Sequence, residues 1–286
     1  MSISKRTLFA GVLGSLATLG LWGSAMAQED LLEKIRNKKE VVVAYSNEAP
    51  NAYVDSKGEL TGVIIDLVRH AFGKIGDIKV VGQRIDWSGL IAALQAERVD
   101  MLAVGMYATP ERCKQVLFSE PLFVAGQRIV YQKGNPKNIR DFSSFLEKPD
   151  LRFAMLAGAF EEPYLRSMGI NESQFVILPD NASMNSALLA NRVDAISVTG
   201  TASQWILEQY ANQFEGTDML YNAGDYDIGG YFSLQYRFGD DSLKEAVDNI
   251  IHEFRKTEEF QELLAKYDIR DVKLPEKTIQ EICNPT

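Results

Sequence analysis

The sequence predicts an α/β fold of two doubly wound lobes joined by two crossing strands. Three observations predict it. Short β-branched runs alternate with amphipathic helical stretches along most of the chain, the pattern of sheets covered by helices on both faces. The alternation occurs in two successive sets, and one stretch of the first set returns in the second. Two further extended stretches, Gln127 to Tyr131 and Gly229 to Tyr236, follow the first and second set respectively.

In chain order, Met1 to Ala27 carries Lys5 and Arg6, a small-residue apolar run from Thr7 to Trp22 and a closing Ala25-Met26-Ala27. These are the three regions of a secretory signal peptide, so the exported chain is expected to begin at Gln28. The whole chain has a net charge of −9, with 30 basic and 39 acidic side chains; losing Lys5 and Arg6 makes it −11. Nucleic-acid binding is therefore not expected. No later apolar stretch approaches the length that spans a bilayer. Cys113 and Cys283 are too few for a metal site, and in an oxidising compartment they either pair or stay as two buried thiols. His70 and His252 fall in amphipathic helical patterns and read as helix-surface residues, so no metal and no cofactor is expected.

The run Glu40 to Tyr45 has the character of a strand buried on both faces, and it leads into a loop at 46–50. Helical periodicity follows from Val63 to Phe72, then a strand at Ile78 to Val81, a helix from Trp87 to Ala96 and a strand from Val99 to Val104. The second set reads as strand Leu151 to Leu156, helix Glu161 to Ser167, strand Phe175 to Leu178, helix Ala182 to Ala190 and strand Asp194 to Val198. Residues 93–104 and 187–198 share seven of twelve identities at an offset of 94 residues, including Arg-Val-Asp in both. This similarity suggests lobes of like architecture. The crossings at Gln127 to Tyr131 and Gly229 to Tyr236 then divide the chain into 28–130 with 231–286 as lobe I and 131–230 as lobe II. Helices are expected from Asp241 to Lys256 and from Glu258 to Lys266.

Open α/β sheets bind ligands beyond the carboxyl ends of their strands. That rule selects Glu48, Asn51, Trp87, Tyr107 and Arg112 in the first lobe, and Gly158, Ala159, Phe160 and Thr199 in the second. An arginine fork binds a carboxylate bidentately and stays charged; the alternative for Arg112 is a surface ion pair with Glu111 or Asp86. Gly158-Ala159-Phe160 at a helix start can offer backbone N–H groups to the same carboxylate, or be an ordinary turn. Trp87 and Tyr107 suit the faces of a delocalised cation, or belong to the core. Glu48 would neutralise that cation, or be a solvated loop carboxylate.

The stretch from Gly105 to Arg112, followed by Phe118-Ser119-Glu120-Pro121, resembles the signature of type II periplasmic amino-acid-binding proteins over nearly all of Val41 to Cys283. Asn47-Glu48-Ala49-Pro50, residues 110–115 and 133–137, Ala157-Gly158-Ala159 and Glu281-Ile282-Cys283 are similar to ectoine and hydroxyectoine binders within that group. The resemblance implies a periplasmic, monomeric, non-catalytic trap that delivers a small zwitterionic solute to the membrane subunits of an ABC permease. It implies a Cys113–Cys283 disulfide and a carboxylate clamp at Arg112. Thr199 stands where amino-acid binders of this type carry an ammonium-binding aspartate, which implies a ligand without a free α-ammonium. Asn51 stands where a third cage aromatic is expected. A dehydratase on the same scaffold, with Glu48 or Glu161 as acid or base, is the catalytic alternative, and a polar amino acid is the alternative ligand.

Overall fold

The computed structural model describes residues 30–270 and 272–285; the signal-peptide reading of residues 1–27 lies outside the described residues. Two five-stranded sheets organise the chain. In the first, Glu40–Tyr45 is flanked by Lys79–Arg84 and Met101–Leu102, both parallel to it, and Gln235–Tyr236 and Leu117–Phe118 follow antiparallel. In the second, Phe153–Leu156 is flanked by Phe175–Leu178 and Ala195–Thr199, again parallel, and Gln127–Gln132 and Phe214–Gly216 complete it antiparallel. Both sheets repeat one plan, three parallel strands with the first in the middle, then one strand antiparallel to them and an edge strand antiparallel to that one. Each is mixed rather than wholly parallel.

The repeated sequence has a structural cause. Glu97 and Asn191, 94 residues apart, both adopt left-handed backbone, φ 56° and 53°. Each ends a helix in which the next N–H reaches back five residues, Arg98 to Ala93 at 3.0 Å and Arg192 to Ala187 at 2.9 Å. Asp100 and Asp194 then accept from the backbone N–H of Val42 and Arg152, at 2.7 and 2.9 Å. The Arg-Val-Asp turn therefore stops a helix and fixes the next strand against the first strand of its own sheet.

Most elements fall where the sequence puts them. Glu40–Tyr45, Phe175–Leu178 and the helix Glu258–Lys266 match residue for residue. The helix expected from Val63 runs to Gly76, burying Ile64, Ile65, Val68 and Phe72, and that expected from Asp241 ends at Phe254. His70 is half-buried and stacks on Phe254, ring centroids 3.8 Å apart, so it is not a free surface group.

The crossing differs from its expected position. Gln127–Gln132 is bonded on both sides within the second sheet, and the chain passes between sheets at Phe123–Ala125, which pairs antiparallel with Gly230–Phe232. A division at 130/131 would cut a central strand of the second sheet, so we place the crossings at 123–126 and 230–234. The alternation in Gln127 to Tyr131 reports an extended chain and not the sheet it joins. Lys273 extends this crossing ribbon by bonding to Val124 through both its N–H and its carbonyl. Beyond it the helix Ile279–Cys283 returns to the first sheet, where Cys283 is disulfide-bonded to Cys113 across 170 residues. Three apolar clusters support this frame, one enclosing both faces of the first sheet and one on each face of the second. No helix among the described residues is long and apolar enough to cross a membrane.

Candidate functional site

A narrow cavity of about 30 Å³ lies where the strand ends of the two sheets meet. From the first side come Glu48, Trp87, Tyr107 and Arg112, and from the second Ala159, Phe160, Glu161, Asn181, Ser197 and Thr199.

Each side chain is positioned by local structure. Glu48 sits in a tight turn in which its N–H and carbonyl both bond to Ala52, at 2.8 and 2.9 Å. The carbonyls of Pro50 and Asn51 then accept from Val63 and Ile64, both at 2.9 Å, closing the start of the helix Val63–Gly76. Thr109 caps the short helix Pro110–Cys113 by accepting from the Arg112 N–H at 3.2 Å. Trp87 begins a 3-10 turn and is buried. Tyr107 is 2% exposed and donates to the Gly126 carbonyl at 3.2 Å. Its ring lies edge-on to Phe160 and Phe232, at 4.9 and 4.7 Å. A Cβ on Gly230 would lie 1.9 Å from that ring, so only glycine fits where the return crossing passes the tyrosine.

Arg112 spans the cleft. Its guanidinium donates to the Tyr107 carbonyl at 2.8 Å and to the Gly158 carbonyl at 3.1 Å, with the Trp87 ring 6.0 Å away. Burial pulls its pKa down to about 10, against the attraction of Glu161, so it remains charged at neutral pH. No ion pair joins it to Glu111 or Asp86 among the described residues. Glu48 is 5% exposed; burial pushes its carboxyl up to about 7, while the Asn51, Thr199 and Asn181 side chains hold it down in part. Thr199 donates to its Oε1 at 3.2 Å, and its Oε2 has no partner. Glu161 is 3% exposed, accepts from Ser197 at 2.9 Å, and is likewise pushed up by burial.

Seven of the nine expected residues line the cavity: Glu48, Trp87, Tyr107, Arg112, Ala159, Phe160 and Thr199. Two do not. Asn51 is fully buried behind Gly105, whose added Cβ would meet the Asn51 amide nitrogen at 2.6 Å. It occupies no cage wall because its backbone is needed at the helix start. Gly158 is exposed and turns its carbonyl to Arg112, and the Ala159 N–H is bonded to Leu156 at 3.0 Å. The expected row of free N–H groups is thus partly spent on the turn itself. Sequence reasoning missed Asn181 and Ser197 and weighed Glu161 only as a catalyst. Asn181 follows the strand Phe175–Leu178, so the strand-end rule applied to every strand would have found it. Ser197 lies two residues before Thr199, on the same strand face.

Two sheets of one plan, crossed by a paired ribbon and closed on a charged, aromatic-lined cavity, define a two-lobed solute-binding protein. The chain belongs to the bacterial extracellular solute-binding proteins, family 3, whose family model matches residues 41–269. It is 30% identical, over 98% of this chain and 95% of the relative, to a probable amino-acid ABC transporter periplasmic-binding protein, y4tE, of Sinorhizobium fredii (strain NBRC 101917 / NGR234). Among solved structures, EhuB in complex with hydroxyectoine superposes with a TM-score of 0.78 at 22% identity, covering 89% of this chain and 98% of that one. The ancestral amino acid-binding protein AncCDT-1, a precursor of cyclohexadienyl dehydratase, superposes at 0.73 with 26% identity, covering 82% and 98%. The protein is an ABC-importer solute-binding protein of the amino-acid type, and its relatives of this type act in the periplasm.

Proposed function

We propose that this protein, exported by its N-terminal segment and acting as a monomer, captures a small zwitterion of the ectoine or hydroxyectoine type for an ABC permease. The observation that carries the reading is the juxtaposition in one cavity of Arg112 with the buried acids Glu48 and Glu161 and the rings of Trp87, Tyr107 and Phe160. Arg112 binds the solute carboxylate, exchanging its present carbonyl contacts for charge-assisted ones. The rings cover a delocalised cation, worth ~0.5–2 kcal/mol each once water is excluded, and Glu48 neutralises it. The fold likeness to a protein solved with hydroxyectoine supports this choice.

A polar amino acid is the second reading, favoured by one observation. Glu161 supplies a buried carboxylate on the second side, where Thr199 does not. Calorimetric titration against ectoine, hydroxyectoine, glutamine and arginine separates the two. The cyclic zwitterions are expected to bind tightest; tight binding of arginine or glutamine with neither cyclic compound overturns the ligand choice.

A further inference from the structure

We infer that Glu161 is a specificity-determining residue which, with Glu48, requires the bound cation to carry N–H groups at two positions, as an amidinium does and a quaternary ammonium does not. This inference rests on the ligand reading above and narrows it.

The argument begins with position. Glu48 follows the first strand of the first sheet, Glu161 the first strand of the second, so the two lobes present an acid at corresponding places. Both are more than nine-tenths buried and both line the same cavity. Their hydroxyl partners are neighbours on one face of the strand Ala195–Thr199: Ser197 holds Glu161 at 2.9 Å and Thr199 holds Glu48 at 3.2 Å. Two residues along a strand span about 6.6 Å. The strand therefore anchors the two carboxylates at two separate positions along one cavity.

Each acid retains unused capacity. A carboxylate has about four acceptor sites; Ser197 takes one on Glu161, Thr199 takes one on Glu48, and Glu48 Oε2 has no hydrogen-bond partner. Among the described residues, the Arg112 charge favours ionised Glu161 without forming an ion pair with it, and no basic side chain acts on Glu48. Two buried carboxyls facing one cavity are poorly solvated when ionised, and burial is the leading cause that raises each of them. A cation donating one N–H to each removes that penalty and ties the first lobe to the second. A quaternary ammonium neutralises the charge but leaves the acceptors unmet, which is the less favourable outcome when water is excluded.

The test compares ectoine with proline betaine, a carboxylate-bearing quaternary ammonium, by calorimetry. The unaltered protein is expected to prefer ectoine by at least about tenfold, the value of a hydrogen bond to a charged group; equal affinities overturn the inference. In Glu161→Gln, with folding checked by thermal melting, that preference is expected to shrink about tenfold. An unchanged ratio assigns Glu161 to structure alone and also overturns it. If the variant does not fold, the ratio in the unaltered protein decides. Failure of the parent reading looks different: neither cyclic amidinium binds and arginine does. The same variant is then read with arginine, whose guanidinium also has N–H groups at two positions, and an unchanged arginine affinity overturns the inference.

Discussion

The two sides of the cleft are built on the same sheet plan and yet are equipped differently. The first side is made of large, rigidly seated groups. Tyr107 and Trp87 are 2% and 8% exposed, and Arg112 is fixed by two carbonyls. The second side offers small hydroxyls at Ser197 and Thr199, an acid at Glu161 and one ring at Phe160. Side chains already seated lose little freedom when a solute arrives, so the first side is suited to capture. The second side is suited to closure, because Thr199 bonds to Glu48 across the gap and Glu161 lies within the field of Arg112. A ligand shifts the open and closed states only by its unequal affinity for them.

The largest expected effect separates these roles at Arg112. Arg112→Ala removes the charge that meets the carboxylate and the bond to Gly158 that crosses the cleft. We expect solute binding to weaken by about 2–5 kcal/mol, chiefly because the partner carboxylate is left buried and unpaired. Calorimetry measures it. A loss below about 1 kcal/mol, smaller than that of truncating Thr199, would reverse the assignment of capture to the first side.

What the sequence made legible follows the same division. Glu48, Trp87, Tyr107 and Arg112 follow strands whose apolar runs are plain to see, so the strand-end rule finds them. The strand expected at Val99 to Val104 shortens to Met101–Leu102, although Asp100 and Ala103 still bond to Val42 and Ala44 at 2.8 and 2.9 Å. An apolar run reports burial, which extends further than the ladder itself. Partnerships were not legible. Thr199 and Glu48 meet across 151 residues and Ser197 and Glu161 across 36, and neither period nor composition encodes such pairs. Asn51 shows the converse. Its position after a strand suggested a lining residue, but a helix start claims its backbone and draws the amide behind Gly105.

A smaller effect sharpens the comparison through pH. Burial raises the Glu48 carboxyl from 4.5 to about 7. A cation placed beside it favours the ionised form and lowers that pKa. Binding below pH 7 therefore releases a proton, and affinity rises with pH up to about 7, then levels off. The slope is at most about tenfold per pH unit. Titrations in buffers of different ionisation enthalpy, at pH 6 and pH 8, should find proton release only at the lower pH. Glu48→Gln should abolish it. Release that survives in Glu48→Gln would assign the proton to Glu161, which burial also raises, and so to the second side.

The smallest effect lies at the rim. Gln204, on the helix Gly200–Gln209 of the second side, donates to Asp268 beyond the helix Glu258–Lys266 of the first, at 3.2 Å. This bond also joins the lobes, but it is close to solvent. Asp268 is also ion-paired with Arg270, so losing Gln204 leaves it partnered. Bonds in such surroundings contribute little, because water replaces them readily. Gln204→Ala is expected to weaken solute binding only about twofold, a value consistent with an exposed contact. Saturation with solute is expected to contract the protein, and Gln204→Ala should leave that contraction, measured by small-angle scattering, unchanged. If instead affinity fell more than tenfold and the saturated protein stayed expanded, closure would be governed at the rim. Ser197, Thr199 and Glu161 would then follow the closing motion rather than drive it.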